Sequence, residues 1–336
     1  MKMFINKHKL FLFRWVCCLL FMPLSGQAEE IRIAVRAHAG EQHAIKKWQA
    51  TIDYLNQALP AHHFTMIPYT SLKQQLADAR ASRFQFLLTN PATYVELEAD
   101  VGAKAILTLI NNRHGTAQTR FGSVIFTHVE NTDILEIKDL RGKDFLAVNP
   151  LGFGGWRVGL KVLKEQGIEP HSDFASLQFA GKQPKVVAAV RDKKVHAGMV
   201  RTDMLERMAD QGKVDLRNLR ILNQQTTPDF PFFHSSALYP EWPFARMPAA
   251  SAKLTEQIKQ ALLKIDRTHP AAITGKYMGW TPALDYTPVK ILLMELGISP
   301  FAAKSPARKI FYWLIALSAL FIVLYAFYQQ RNKKTG

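Results

Sequence analysis

The sequence predicts an α/β fold in two lobes that are joined by two crossover segments. Short apolar segments typical of strands alternate with segments of helical periodicity along most of the chain. About 275 residues lie between two terminal apolar segments, which is more than a single core usually fills. A long apolar strand, Phe121–Thr127, follows a polar loop and begins a second series of such units. We therefore expect two α/β lobes with a cleft between them.

The first lobe opens with the alternating strand Ile31–Arg36, behind which apolar residues recur at helical spacing from Ala44 to Leu59. Further segments continue the alternation, with strands predicted at 64–69, 84–89 and 105–110 and a helix at 72–81. This pattern favours a parallel sheet with helices on both faces. Such a sheet presents ligand-binding groups at the carboxyl ends of its strands.

The second lobe contains the stretch 144–160, which predicts a buried strand, a glycine turn and a helix. The strand stops at Asn149-Pro150, and a helical pattern begins at Trp156, after the glycines 152, 154 and 155. The first N–H groups of such a helix lack intrahelical partners and could bind an anion. A tight strand-to-helix connection without a ligand explains the glycines equally well. The dinucleotide-binding fingerprint does not fit, because Arg157 occupies the position of its third glycine.

Two crossings divide the chain into lobe 1 (29–122 and 223–303) and lobe 2 (123–222). The first crossing is the strand that begins at Phe121, and we place the return in the loop Thr226–His234, before a strand at 235–239. The final helices, predicted at 251–267 and 289–296, are expected to pack back on lobe 1. Two connections of this kind allow the lobes to close like a hinge on a ligand.

Both ends of the chain carry membrane-related signals. Residues 1–28 combine basic residues, a short apolar run and small residues before the end, the pattern of a secretory signal peptide. Residues 310–328 form an uncharged apolar stretch that is long enough to span a bilayer. We expect one transmembrane helix there, with an exported ectodomain before it and a cytoplasmic tail at 329–336.

The net charge of +16 comes largely from the two ends of the chain. Four of the 43 Lys and Arg lie in the first 28 residues and six flank the C-terminal apolar stretch, whereas all 27 Asp and Glu lie between. The ectodomain is only mildly basic, so no nucleic-acid partner is expected. Both cysteines, Cys17 and Cys18, lie in the signal peptide, which excludes disulfides and thiol chemistry from the mature chain.

Several segments in combination resemble one known family. They are Asp139–Lys143 with the following glycine turn, 148–156, 200–206, 234–244 and 279–286. Together they are similar to the phosphonate-binding (PhnD-like) periplasmic solute-binding proteins, and more closely to the sensor domain of tetrathionate-sensor-like histidine kinases. The resemblance covers residues 30–300. It implies a type II periplasmic-binding-protein fold and a small oxyanion ligand in the cleft. The two terminal signals add the expectation of a periplasmic ectodomain on a single-pass inner-membrane anchor.

Candidate ligand-binding residues follow the predicted strand ends and crossings. Four arginines, Arg36, Arg113, Arg120 and Arg201, are placed to bind oxyanions through bidentate contacts, although arginines are also common as solvated surface charges. Hydroxyl and amide groups near them suit either ligand contacts or helix caps. The candidate set is Arg36, His38, Thr89, Asn90, Arg120, Ser123, Gly154, Gly155, Trp156, Arg201, Thr202 and His234.

No metal or cofactor site is predicted, because the eleven histidines show no ligand spacing such as H-E-x-x-H. No nucleophile elbow or paired acid and base appears, so we expect a binding protein rather than an enzyme. The expected function is a membrane-anchored sensor domain that closes on an oxyanion; an anchored binding subunit of an ABC importer is the alternative. Either function implies a separate partner, a histidine kinase or a permease. A periplasmic enzyme remains a third hypothesis.

Overall fold

The computed structural model describes residues 29–298 and 300–301. The predicted signal peptide, transmembrane helix and cytoplasmic tail lie outside these residues. Within the described part of the chain, no helix combines the length and the apolar character needed to cross a membrane.

The described residues form strands and helices in alternation. The strands are β1 (Glu29–Arg36), β2 (His62–Tyr69), β3 (Phe86–Leu88), β4 (Lys104–Arg113), β5 (Thr116–Gln118), β6 (Arg120–Phe121), β7 (Ser123–His128), β8 (Asp144–Ala147), β9 (Ser176–Phe179), β10 (Ala197–Arg201), β11 (Leu219–Leu222), β12 (Gln225–Thr227), β13 (Phe230–His234), β14 (Tyr239–Pro240), β15 (Pro243–Arg246) and β16 (Tyr277–Pro282). The helices are α1 (Glu41–Ala58), α2 (Leu72–Arg80), α3 (Pro91–Val101), α4 (Val158–Glu165), α5 (Pro170–Asp173), α6 (Gln183–Arg191), α7 (Met204–Asp210), α8 (Ala252–Leu263), α9 (Pro270–Gly275) and α10 (Thr287–Glu295), with a π turn at Phe153–Arg157 and 3₁₀ turns at Ile137–Leu140 and Leu216–Asn218.

Two sheets define the two lobes of the α/β fold. The lobe 1 sheet has the order β16-β4-β15-β3-β1-β2, with β5 paired to β4, and the lobe 2 sheet has the order β11-β7-β10-β8-β9. In lobe 1, β1 is parallel to β2 and β3. In lobe 2, β8 is parallel to β9 and β10. The predicted two-lobe α/β architecture is confirmed.

Helix α1 illustrates how the sequence pattern builds the core. Its buried residues Ala44, Trp48, Ile52 and Leu55 recur every three or four positions, so they form one apolar stripe along the helix. This stripe packs on lobe 1 strand residues such as Ile33 and on helix α8. The helix therefore runs along one face of the lobe 1 sheet and starts directly after the carboxyl end of β1.

A short ribbon of β6 and β14 lies where the chain passes between the lobes. The predicted strand Phe121–Thr127 is divided at Gly122, where a Cβ atom would lie 2.5 Å from Ser236 Oγ. The return segment also differs from the prediction, because β12 and β13 form a hairpin and the next strand is Tyr239–Pro240. The serines at 235 and 236 instead bond to the start of β7, with Ser235 N donating to Ser123 O at 2.8 Å.

Candidate ligand-binding site

A cleft of about 540 Å³ lies between the two lobes. Most of its lining follows the carboxyl ends of parallel strands. Arg36 ends β1, Asn90 follows β3, Gly152–Gly155 follow β8, and Arg201 ends β10. Residues at or just after these strand ends therefore place polar groups from both sheets around the cleft, as in other open α/β sheets.

On the lobe 1 side, Arg36 is fixed by the end of the neighbouring strand. Its NH1 donates hydrogen bonds to the carbonyl oxygens of Tyr69 at 2.7 Å and Thr70 at 2.6 Å. Burial lowers the pKa of Arg36 from its usual value, although a guanidinium remains charged at neutral pH. This cation is thus held at the cleft before any ligand arrives.

The glycine turn forms the facing wall in lobe 2. The chain enters the π turn after Gly152, and the first helical hydrogen bond runs from Arg157 N to Gly152 O at 3.0 Å. The N–H groups of Phe153 to Trp156 precede that bond, which makes them donors at the positive end of the helix that α4 continues. The predicted helix start at Trp156 was three residues too late.

Gly154 is required by close packing. A Cβ atom at this position would lie 2.8 Å from Phe121 Cε2 and 3.2 Å from Arg201 Cγ. The Arg201 guanidinium itself lies over the Phe121 ring, 3.9 Å from its centroid. The turn, the crossing strand β6 and the arginine at the end of β10 therefore contact one another at one corner of the cleft.

A network of buried charges joins the lobes at the base of the cleft. Glu241, which is fully buried in lobe 1, accepts hydrogen bonds from Arg201 of lobe 2 and, at 2.9 Å, from Asn111. Arg113 of lobe 1 donates to Asp203 of lobe 2 at 3.2 Å. Burial disfavours the charged form of Glu241, but Arg201 and Arg113 outweigh it and hold its pKa below the usual value.

Positive charge exceeds negative charge along the lining. One carboxylate, Asp203, is part of the lining within the described residues, and it contacts arginines on three sides. The lining cations other than histidines are Arg36, Lys47, Lys73, Arg113, Arg201 and Arg207. An anion entering the cleft would therefore meet a surplus of cations.

The crowding of cations is reflected in pKa values. Burial in the cleft and the nearby charge of Arg113 lower the pKa of Lys47 to about 7. Burial, together with Lys47 and Arg36, lowers the pKa of His38 to about 4, and burial lowers the pKa of Arg113 to about 10. Each lowered pKa means that the charged form of that group is disfavoured in the cleft. A bound anion would favour the charged form and raise the pKa again.

The structure brings half of the sequence-predicted set to the cleft. These six are Arg36, His38, Asn90, Gly154, Gly155 and Arg201. The side chain of Asn90 also caps α3, because its Oδ1 accepts a hydrogen bond from Thr93 N at 3.1 Å. Its amide therefore has the capping role that the sequence left open.

Three other members of the set lie behind the cleft wall and support it. Ser123 is buried, and its Oγ donates to the carbonyl oxygen of Gly154 at 2.5 Å. The Oγ1 of Thr202, also buried, accepts from Gly122 N at 3.2 Å at the crossing. Trp156 packs edge-on against Phe179 in the lobe 2 core. These three residues are absent from the cleft lining itself.

The remaining three lie outside the cleft lining. Thr89 is fully buried at the end of β3. Arg120 is exposed on the crossing strand β6, and the next residue of that strand, Phe121, lines the cleft instead. His234 is buried, with Nδ1 2.8 Å from Ser236 O and its ring edge-on to Phe230.

Sequence reasoning missed several of the cleft's charged residues. Lys47, which the candidate set omits, lies on α1 beside the buried Trp48. Arg113 was weighed as a strand-end cation but left out of the set. The acidic partners Asp203 and Glu241 could have been suspected from one weak signal only. They lie in the segments 200–206 and 234–244, which resemble the sensor-type family.

Comparison with known proteins assigns the family. The model of the periplasmic substrate-binding proteins of phosphonate ABC transporters matches residues 33–286. The chain belongs to this family. Two solved structures share the fold, a PhnD1 protein from Prochlorococcus marinus in complex with methylphosphonate and XAC2383 from Xanthomonas citri bound to ATP. The TM-scores are 0.60 and 0.63, the identities 14% and 17%, and the matches cover 81% and 79% of this chain and 99% and 94% of the others.

One curated relative of the chain is a sensor kinase. The tetrathionate sensor histidine kinase of Salmonella typhimurium is 32% identical over 270 residues, which is 80% of this chain. The chain spans 44% of the length of that kinase. The resemblance stated from the sequence motifs is therefore confirmed, both for the phosphonate-binding family and for the tetrathionate-sensor type.

Proposed function

We propose that this chain is a membrane-anchored periplasmic receptor domain whose cleft closes on a small oxyanion, a sulfur oxyanion or a phosphonate-like anion. The observation that carries the proposal is the surplus of cations around the cleft, opposed by the single lining carboxylate Asp203 among the described residues. Asp203 and the buried Glu241 orient Arg113 and Arg201 rather than neutralise the whole lining. A ligand with two or more negative charges complements such a site best.

The twelve predicted residues are proposed to act in two ways. Arg36, Arg201 and the N–H groups of Gly154 and Gly155 would contact the anion, with His38 and Asn90 beside them. The other six, Thr89, Arg120, Ser123, Trp156, Thr202 and His234, are not proposed as direct contacts, given where their side chains lie. No hydroxyl occurs in the turn 152–156. Backbone N–H groups are therefore its proposed donors.

The output of binding is proposed to pass through the apolar stretch 310–328 to a separate histidine kinase in the inner membrane. The curated relative, a sensor kinase, supports this choice. The alternative is an anchored binding subunit of an ABC importer, which the description of the matching family supports. Oxyanion-dependent co-purification with a kinase supports the first function, whereas co-purification with a permease and its ATPase supports the second.

A thermal-shift screen tests oxyanion binding. The full chain in detergent would be heated with sulfate, thiosulfate, tetrathionate, phosphite, methylphosphonate and acetate, with chloride as the reference. A ligand at 100 times its Kd should stabilise the native state by about 2.7 kcal/mol, which raises Tm by roughly 5–10 °C for a domain of this size. If every oxyanion gives the chloride value up to millimolar concentration, the proposed function is wrong.

Binding is expected to weaken as the pH rises above 7. The pKa of Lys47 is about 7 in the free protein, so above that pH an anion that prefers the charged amine must take up a proton. One linked proton reduces affinity by at most about tenfold per pH unit, until the pH reaches the higher pKa of the complex. His38 and Arg113, with pKa values of about 4 and about 10, titrate outside this window.

Isothermal titration with thiosulfate, which does not titrate near neutral pH, should show this loss between pH 6.5 and 8.5. The binding heat at pH 8 should also depend on the ionisation enthalpy of the buffer. A flat affinity profile across this range, with no buffer dependence, would contradict a protonated Lys47 in the complex.

A further inference from the structure

A buried ion pair ties the glycine turn of lobe 2 to lobe 1. Arg157 NH1 and Glu96 Oε1 are 2.6 Å apart, and the residues are only 5% and 8% exposed. Glu96 lies on α3 of lobe 1, whereas Arg157 is the last residue of the π turn Phe153–Arg157 in lobe 2. The contact is thus the direct continuation of the turn whose glycines line the cleft.

This pair is poorly explained by stability alone. Removing two charges from water costs several kcal/mol, and apolar pairs of similar volume are often as stabilising or more so. The Nε of Arg157 is buried and has no hydrogen-bond partner within the described part of the chain, which adds to the cost. A geometric role is the remaining physical reason to keep an ion pair in this place.

The geometry of the turn supplies such a role. A π turn is rare, appears mostly as a single turn at an α-helix, and is frequent at functional sites. Here Phe153 packs edge-on against Phe121 and Tyr239 of the crossing ribbon, with ring centroids 5.8 and 5.5 Å apart. Ser123 holds the carbonyl of Gly154 at 2.5 Å. Arg157 fixes the far end of the same turn, so the direction of the N–H groups at 154 and 155 depends on it.

We propose that Arg157 and Glu96 are positioning residues, whose ion pair fixes the glycine turn against lobe 1 and aims its N–H groups into the cleft. This inference rests on the proposed function only where affinity is concerned.

The test is the double variant Glu96→Leu/Arg157→Met in the full chain, with thiosulfate and methylphosphonate as probes. Its Tm should equal or exceed that of the wild type, while the Kd of the binding probe rises at least tenfold. Hydrogen exchange of the amides at 153–157 should accelerate without ligand. A merely structural pair would leave affinity and local exchange unchanged, and that result would overturn the proposal.

The matched control is Lys161→Met/Glu295→Leu, which removes an exposed ion pair between α4 of lobe 2 and α10 of lobe 1. Its Kd and its exchange at 153–157 should match the wild type. If both double variants changed the Kd and the exchange rates equally, the effects would come from the loss of any contact between the lobes. That result would overturn the specific role of Arg157 and Glu96. If neither probe binds the wild type, the exchange comparison alone decides the positioning role, and the thermal-shift screen decides the proposed function.

A conservative variant keeps the proposal testable if the double variant does not fold. Arg157→Lys retains the charge but not the planar guanidinium, so the turn should be held less rigidly. We expect hydrogen-exchange rates at 153–157 between those of the wild type and of the apolar double variant. The Kd should be several-fold higher than that of the wild type. Wild-type values for both quantities would overturn the proposal.

Discussion

Lys47→Met should weaken oxyanion binding by roughly 10- to 100-fold, the effect of losing one charge-assisted hydrogen bond of about 1.5–3 kcal/mol. The amine lies on α1 at the cleft, where no carboxylate forms a salt bridge with it within the described residues. Its removal therefore leaves no buried charge unpaired. The change would act on the ligand rather than on the Arg201–Glu241 network.

The same variant should be more stable than the wild type without ligand. The folded pKa of Lys47 is about 7, below its usual value, so at pH 6–7 the folded protein carries a charge that its surroundings disfavour. That cost is full below pH 7 and disappears as the pH rises toward the unfolded pKa. A gain of about 1 kcal/mol would raise Tm by ~2–4 °C at pH 6.5, and less at pH 9.

Isothermal titration and calorimetric melting check both quantities. Lys46→Met is the control, because its side chain is exposed and lies outside the cleft lining on the same helix. It should change neither the Kd nor the Tm appreciably. A Lys47→Met protein with wild-type affinity and a lower Tm would show that the amine is structural.

Gly154→Ala is expected to reduce binding by roughly 10- to 100-fold and to lower stability by about 1–3 kcal/mol, the usual cost of overpacking. The added Cβ would lie 2.8 Å from a Phe121 ring carbon, so the ring or the turn must move. It would also displace Arg201, whose Cγ lies 3.2 Å away. Because the N–H donors and the guanidinium meet at this corner, one methyl group disturbs both.

Gly159→Ala separates crowding from ligand contact. Its Cβ would lie 2.4 Å from the sulfur of Met199, inside lobe 2 and away from the cleft lining. We expect a lower Tm with a Kd within about threefold of the wild type, since a flexible methionine can absorb part of the strain. A similar loss of affinity in both variants would mean that the effect at Gly154 is a general loss of stability.

The fold was predictable because its signals are local. The stripe Ala44, Trp48, Ile52 and Leu55 and the apolar strand at 144–147 follow directly from residue periodicity. The glycine turn was also visible, and so were the strand-end arginines Arg36 and Arg201. Each of these features can be located from a predicted strand end and the few residues that follow it.

The rest of the site depends on contacts between segments distant in sequence. Lys47 lies in the same cleft as Arg113, which ends β4, and the two charges interact there, but nothing in the sequence around Lys47 marks that proximity. Trp156 was expected to face the cleft, but the π turn shifts its side chain toward Phe179 in the lobe 2 core. Insertion of a wider turn cannot be read from helical periodicity.

The most direct measurement of the central claim is a crystal structure of the chain with the oxyanion that raises Tm most. We expect one anion in the cleft, within hydrogen-bond distance, about 2.7–3.2 Å, of the N–H groups of Gly154 or Gly155 and of the Arg201 guanidinium. Lys47 should approach the same anion, and the Arg157–Glu96 contact should be unchanged. An anion bound elsewhere, with an empty cleft between the lobes, would contradict the account.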